Sequence, residues 1–122
     1  MSRFKRILVV DSDPEAADTL GLLLELSTRP VIAHTTYTGS DAVLLADRGH
    51  FNVIILSLHA NGLDILLAAR SIRLQKIRKL PRLIALSDHS EQVAATWEGS
   101  LFDRILPRST SVNSLLDAIH CF

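Results

Sequence analysis

Five short apolar runs, each followed by a segment with helical spacing, constrain the fold of this chain more than any other feature. The runs are continuous rather than alternating, as in ILVV at 7–10 and NVIIL at 52–56. Strands buried on both faces of a parallel sheet have this pattern, because helices cover both faces. With right-handed crossovers, five such units predict an α/β three-layer sandwich around a five-stranded parallel sheet. We expect the strands at 7–10, 30–34, 53–56, 83–86 and 103–106.

The first helix has two possible starts. Asp13 precedes Pro14 and suits the N-cap position, since proline is favoured at the first helical residue. Ser12 and Glu15 would instead form a capping box that begins one residue earlier. Both alternatives place a polar turn between the first strand and the first helix.

Later helices are marked in the same way. Residues 61–62, an Asn-Gly pair, predict the turn before the third helix. Ser90 or Asp88 is expected to cap a fourth helix that extends through Trp97. Ser111 is expected to cap the last helix.

Length and charge exclude some classes of function. The chain has 122 residues, which suits one domain over positions 1–122. Its 13 basic and 13 acidic residues give a net charge of zero, which argues against direct binding of nucleic acid by bulk electrostatics. The basic cluster between positions 70 and 82 is interpreted as a solvated face.

Cysteine content and hydropathy indicate the compartment. Cys121 is the one cysteine in the sequence, so no intramolecular disulfide can form. No apolar run approaches the length of a membrane span, and the first residues do not form a signal peptide. We therefore expect a cytoplasmic protein that does not bind membranes.

Polar residues at the ends of the predicted strands indicate where a site would lie. Parallel sheets bind ligands beyond the carboxyl ends of their strands. Asp11 and Asp13 leave the first strand as a carboxylate pair that could hold Mg²⁺, although Asp13 could equally be only a helix cap. Ser57 ends the third strand, and Ser87 ends the fourth.

Two histidines near this edge allow a different metal site. His59 and His89 follow neighbouring strands, and with Asp11 or Asp13 they could bind a transition metal. Two exposed loop histidines are the favoured interpretation. A hydrolase that uses Ser57 and His59 is disfavoured, because no nucleophile elbow surrounds the serine.

Four segments together resemble the receiver domain of bacterial two-component response regulators. They are ILVVDSDP at 7–14, NVIILSLHANGLD at 52–64, LIALS at 83–87 and ILPRS at 105–109. The resemblance implies a flavodoxin-like fold with strand order 2-1-3-4-5. It also implies a phosphorelay, in which a histidine kinase phosphorylates an aspartate after strand three with Mg²⁺, and a hydroxyl and a lysine sense the phosphorylated state.

At the positions that carry this chemistry the chain departs from the family pattern. Ser12 replaces the second acid of the first turn, Ser57 aligns with the phosphoacceptor aspartate, and Leu106 aligns with the lysine. Ser87 keeps the hydroxyl. A serine cannot form an acyl phosphate, and fewer anionic oxygens remain for a cation. We therefore expect a pseudo-receiver that is not an enzyme and binds Mg²⁺ weakly or not at all.

Such a domain is expected to signal through protein interaction. The resemblance implies a surface formed by helix four, strand five and helix five. Partners would be a histidine kinase, another regulator or a second copy in a homodimer. The surface residues predicted here are Trp97, Leu101, Arg104 and Arg108.

One alternative remains open at this point. A displaced acid, Asp64 or Asp13, could act as the phosphoacceptor with Mg²⁺ and keep the phosphorelay function. The resemblance also implies a cis peptide bond between Leu106 and Pro107.

Overall fold

Strands and helices alternate along the chain in a computed structural model that describes residues 4–29, 31–59, 63–76 and 79–121, with the backbone alone at 97 and 98. Eleven elements are assigned within these ranges. In chain order they are β1 (Lys5–Val10), α1 (Pro14–Glu25), β2 (Val31–Thr36), α2 (Gly39–Gly49), β3 (Val53–Leu58), α3 (Leu63–Arg73), β4 (Arg82–Ser87), α4 (Ser90–Ala94), a 3₁₀ helix (Trp97–Leu101), β5 (Arg104–Pro107) and α5 (Val112–His120).

The five strands form one parallel sheet in the order β2-β1-β3-β4-β5, which confirms the predicted fold. Because all the strands are parallel, their ends meet at one edge of the sheet. We call this the carboxyl edge, and it contains Val10, Thr36, Leu58, Ser87 and Pro107. The opposite end, where the strands begin, is the amino edge.

Alternate residues of each strand pack into two cores, one on each face of the sheet. Leu8, Ile54 and Leu83 belong to the core that α2 and α3 cover. Ile7 and Ile84 belong to the core that α1 and α5 cover. This double burial is the reason the strands have continuous apolar sequences.

The third strand is longer than predicted. β3 continues through Leu58, and Ser57 lies within it, opposite Leu86 of β4. Its side chain is buried, with 4% exposed. A small hydroxyl therefore sits inside the sheet at the position that the sequence placed at the end of the strand. The predicted second strand included Pro30, which lies outside the described residues, as do 61–62.

The fourth helix is much shorter than predicted. His89, rather than Ser90 or Asp88, is its N-cap, and the helix ends at Ala94. Thr96 explains the early end, because its backbone is extended and its hydroxyl donates to the Val93 carbonyl at 2.8 Å. A side chain that bonds its own turn competes with helix continuation.

Two further expectations are resolved. Asp13 Oδ1 accepts the N–H groups of Glu15 and Ala16 at 3.1 and 3.4 Å, which makes Asp13 the cap of α1. The Leu106–Pro107 peptide bond is trans, so the expected cis bond is wrong. Trans is the more stable form before proline by about 0.5–1 kcal/mol.

Within the described ranges, no helix has both the length and the apolar character needed to cross a membrane.

Candidate functional site

Buried polar side chains meet at the carboxyl edge, as the strand-end analysis predicted. Asp11, Ser57 and Ser87 are 5%, 4% and 4% exposed. Asp11 directly follows β1, Ser57 is the second-to-last residue of β3, and Ser87 is the last residue of β4. Buried polar groups require partners, so the contacts of these three residues define what the site can do.

Arg108 provides the main contacts of this site. Its Nη1 donates to Ser57 Oγ at 2.6 Å, and its Nη2 donates to the Leu58 carbonyl at 2.6 Å. Arg108 directly follows β5, and its own N–H bonds the Ser87 carbonyl at 3.1 Å. The strand end therefore holds the arginine backbone in place, and the guanidinium reaches across β4 to β3.

Asp11 is the second charged centre. Its Oδ1 lies 2.7 Å from His59 Nε2 and accepts the Asp13 N–H at 2.9 Å. Its Oδ2 lies 3.8 Å from Arg108 Nη1. A buried carboxylate needs such partners, because leaving it unpaired costs several kcal/mol. The imidazole and the guanidinium together supply them.

A second carboxylate borders Arg108 on its exposed side. Asp88 Oδ1 lies 3.4 Å from Arg108 Nε. The Nε atom is buried, and the geometry of this contact is not that of a hydrogen bond. Asp88 is itself two-thirds exposed, so the contact is a solvent-screened ion pair. The guanidinium thus lies between Asp11 and Asp88 while its two terminal nitrogens are bonded to β3.

The donor set here does not fit the magnesium ion that the receiver resemblance implies. Mg²⁺ prefers several hard oxygen ligands. Asp11 is instead faced by an imidazole and a guanidinium, Ser12 is exposed, and Asp13 caps α1. Among the described residues, no group of three or more His, Cys, Asp and Glu side chains could hold a metal ion.

The two histidines of the alternative metal site are only partly brought together. His59 and His89 line the same cavity of about 450 Å³, together with Ser87 and Asp88. His59 bonds Asp11, whereas His89 lies at the start of α4 and makes no capping bond with its side chain. Asp13 points its carboxylate into the first turn of α1 and does not join them.

Ser87 and Leu106 also have defined surroundings. Ser87 Oγ accepts the N–H of His89 at 3.0 Å, so the retained hydroxyl bonds the turn that follows its own strand. Leu106 packs against the core on the α1 and α5 face of the sheet. Leu106 therefore stabilises the core and supplies no charge.

Asp64 is engaged elsewhere at the carboxyl edge. Its Oδ2 accepts the N–H of Gly39 at 2.8 Å, which links the first turn of α3 to the first turn of α2. A Cβ at Gly39 would lie 2.5 Å from the Asp64 carbonyl oxygen. The glycine therefore permits the close approach of the two helices.

The predicted interaction surface is divided by the structure. Leu101 is half-buried against the core, and its carbonyl accepts a bond from Arg73 Nε at 2.7 Å. Arg104 is exposed at the start of β5. The backbone of Trp97 starts the 3₁₀ helix, but its side chain lies outside what the structure describes. The guanidinium of Arg108 instead contacts Ser57 and Leu58 of β3, a contact that the sequence pattern did not predict.

Asp103 anchors the segment that leads into β5. It accepts the Leu83 N–H at 2.8 Å and pairs with Arg73 Nη2 at 2.8 Å. Burial raises the pKa of Asp103, but the bonds from Leu83 and Arg73 and the nearby charge of Arg82 outweigh burial and hold that pKa below its ordinary value. The ionised carboxylate therefore stabilises the position of β5.

One sequence signal could have identified the role of Arg108. Asp11 follows the predicted first strand, and a carboxylate that is buried there needs a cation as its partner. Arg108 lies two positions beyond Leu106, and a basic residue there follows the strand end. From there the long arginine side chain reaches Ser57 on β3.

Solved structures that superpose on this chain include response regulators and receiver domains. Over 97% of this chain and 98% of its own, the response regulator TrrA of Thermotoga maritima, solved with Mg²⁺ and BeF, superposes with a TM-score of 0.82 at 24% identity. A signal receiver domain from Bermanella marisrubri gives 0.76 at 26% identity over 98% of both chains. The receiver domain of a Pseudomonas aeruginosa sensor histidine kinase, with magnesium coordinated in its active-site cleft, gives 0.77 at 20% identity over 97% of this chain and 96% of that one.

These similarities are structural. No protein-family model and no curated protein sequence matches the chain. At identities this low, the structural matches show the fold of CheY-like receiver domains. The local chemistry has to be judged from the residues of the site itself.

Proposed function

We propose that this chain is a receiver-type domain of two-component signal transduction that acts through protein interaction and is not phosphorylated at the carboxyl edge. The receiver fold of its structural neighbours supports the signalling class. The contacts of Arg108 support the loss of phosphorylation. Cytoplasmic location and the absence of enzymatic activity belong to the same proposal.

The contact between Arg108 and Ser57 carries this proposal. Phosphoryl transfer to an aspartate needs room for a phosphoryl group and a cation that neutralises its oxygens. Arg108 Nη1 lies 2.6 Å from Ser57 Oγ, so a protein cation occupies the space in front of the aligned position. The same guanidinium contributes positive charge beside Asp11 without any metal.

A permanent cation changes how such a domain would signal. A conformational switch requires a ligand that binds two states with different affinity. Here the guanidinium bonds β3 with two nitrogens at 2.6 Å each, and Ser87 Oγ bonds the His89 N–H. These bonds favour one arrangement of the carboxyl edge. Output then depends on the concentration of a partner, such as a histidine kinase, another regulator or a second copy.

Leu101 and Arg104 remain the residues proposed for partner contact, together with Trp97. Arg104 is exposed on β5, a four-residue strand at the edge of the sheet. Edge strands present unpaired backbone groups that a partner can bind. Arginine and tryptophan are common anchors of protein interfaces.

Acetyl phosphate with Mg²⁺ tests the proposal directly. We expect no mass increase of the intact protein and no binding of beryllofluoride detected by ¹⁹F NMR, because position 57 is a serine and Asp11, Asp13 and Asp64 already accept hydrogen bonds from other groups. An acid-labile phosphoprotein formed in good yield would overturn it. Peptide mapping would then identify the acceptor, and a phosphate on Asp64 or Asp13, abolished by Asp64→Asn or Asp13→Asn, would establish the displaced-acid alternative.

A further inference from the structure

Positive side chains are concentrated at the amino edge, although the formal net charge of the chain is zero. Eleven of the thirteen Lys and Arg residues are in the described ranges, and ten of these eleven lie at this edge. Lys5, Arg6, Arg82 and Arg104 begin strands. The other six lie in the last turns of α2 and α3 or in the loops that lead into β2 and β4. Arg108 is the exception.

Negative side chains are concentrated at the carboxyl edge. Twelve acidic residues have described side chains, and eight of them lie there. Asp11 and Asp88 follow strands, and the first turns of α1 to α4 contain one carboxylate each. Asp13 caps α1, and Asp18 bonds the Tyr37 hydroxyl just beyond β2. Acids thus exceed bases by seven at one edge, and bases exceed acids by six at the other.

Helix dipoles do not cancel this separation. Acidic first turns and basic last turns are ordinary complements of the dipole, whose ends carry roughly half a charge per helix. The four helices of nine or more residues would then offset about two charges at each edge. The side-chain excess is about three times larger, so the molecule retains a strong dipole along its strands.

The amino edge also has a concave surface. A cavity of about 500 Å³ there is lined by three bases, Lys5, Lys79 and Arg82, and one acid, Asp47, with Phe51 and Pro81 among its apolar walls. Some basic residues of this edge are neutralised locally, as in the Arg29–Asp117 pair at 2.7 Å. Lys79 is exposed at the rim of the cavity. An acidic segment of a partner would find both shape and charge there.

We propose that a second copy of this chain binds at this cavity, with the carboxyl edge of one molecule against the amino edge of the next. Each copy has a basic amino edge and an acidic carboxyl edge, so every molecule can serve as a partner for another. Nucleic acid would be attracted to one edge and repelled by the other. This inference names a partner for the interaction function proposed above and rests on it, but it does not depend on the contact between Arg108 and Ser57.

The symmetry of this contact predicts the kind of assembly. Two different surfaces meet, so the interface is heterologous and leaves one free surface of each kind at the ends. Growth into short open chains is expected instead of a closed dimer. Charge–charge attraction between exposed edges is screened by salt, with a Debye length of about 30 Å at about 0.01 M and about 3 Å at about 1 M.

Sedimentation velocity across a concentration series at these two ionic strengths tests the proposal. We expect oligomers beyond the dimer at low salt and a monomer at high salt. Lys79→Gln/Glu91→Gln removes one charge from each edge and keeps the net charge at zero, and we expect association at least fivefold weaker. Both residues are exposed.

A matched control removes the same two charge types from a single edge. Arg29→Gln/Asp117→Asn also keeps the net charge at zero, and it leaves the difference between the edges unchanged. We expect it to associate like the wild type.

A monomer at low salt, a mass that stops at two copies, or equal effects of the two variants would overturn the proposal. Binding of a short oligoglutamate peptide or duplex DNA by a chain that stays monomeric would assign the amino edge to a different partner. Acetyl phosphate reactivity is measured separately, so a failure here is distinguishable from a failure of the proposed function.

Discussion

Arg108 donates a hydrogen bond of 2.6 Å to Ser57, across the width of β4. The two residues are 51 positions apart in sequence and join the loop after β5 to the third strand. Ser57 and the first residue after β5 are therefore one structural unit. A second bond from the same side chain to the Leu58 carbonyl strengthens this connection.

Arg108→Ala is expected to destabilise the fold. The change leaves the Leu58 carbonyl and Asp11 without their charged partner in a partly buried site, which costs about 1–3 kcal/mol. Urea unfolding measures the loss. Arg104→Ala is the matched control, because Arg104 is exposed on β5, the strand that Arg108 follows, and its effect should stay within about 0.5 kcal/mol. Equal effects of the two changes would show that the contacts of Arg108 contribute nothing.

In the absence of Mg²⁺, Ser57→Asp should destabilise the fold less when Arg108 is present than when it is replaced. A carboxylate at position 57 would face the guanidinium, whereas without Arg108 it would lie unpaired near Asp11. Contacting groups of this kind couple by about 2 kcal/mol. A double-mutant cycle of Ser57→Asp with Arg108→Ala, read by urea unfolding, measures the coupling. A coupling indistinguishable from zero would contradict the geometry of the pair.

Magnesium binding should require removal of the arginine as well as addition of acids. We expect Ser12→Asp/Ser57→Asp/Arg108→Ala to bind Mg²⁺ in calorimetry, because Asp11 would then have two carboxylate neighbours and no adjacent guanidinium. Ser12→Asp/Ser57→Asp with Arg108 retained should bind at least tenfold more weakly. Equal affinity of both variants would mean that Arg108 does not compete with a cation.

Gly39→Ala tests the contact between α2 and α3. A Cβ would lie 2.5 Å from the Asp64 carbonyl oxygen and 2.9 Å from its Oδ1, so backbone has to move. Overpacking of this kind costs about 1–3 kcal/mol. Ser71→Ala, at an exposed position of α3, is the control and should leave the unfolding midpoint nearly unchanged. A stable Gly39→Ala variant would contradict the close approach of the two helices.

The fold class was predictable because the apolar runs of the strands and the spacing of the helices are local, regular patterns in the sequence. Continuous apolar runs such as 53–56 are typical of strands covered on both faces, and the parallel direction of the strands follows from the helical connections. The strand order was an implication of the resemblance to receiver domains. The early end of α4 was not predictable in this way. It depends on the Thr96 hydroxyl bonding the Val93 carbonyl, a competition between side chain and backbone that periodicity does not detect.

The site was predictable in its position but not in its contacts. The strand ends indicated the edge of the sheet at which the structure places Asp11, Ser57 and Ser87. The role of Arg108 was missed because a surface and a buried crevice are both within reach of a long side chain after β5. Only the three-dimensional path of the loop, fixed by the Arg108 N–H bond to the Ser87 carbonyl, directs the guanidinium inward.

Asp103 predicts a specific loss of stability in acid. Its pKa in the folded protein is held below the ordinary 3.8, so the folded state binds this proton more weakly than the unfolded state does. The stabilisation is therefore complete above the unfolded pKa, and it is lost as the pH falls through 3.8 toward the folded value. Asp103→Asn should lower stability at neutral pH, because Arg73 and the Leu83 N–H lose a charged acceptor. The same change should flatten the fall of the unfolding free energy below about pH 5.

Asp117→Asn is the control. It removes an exposed ion pair with Arg29 and should change neutral stability by less than about 1 kcal/mol. If the wild type and Asp103→Asn lose stability in parallel as the pH falls, the carboxylate is not what holds the start of β5 in place.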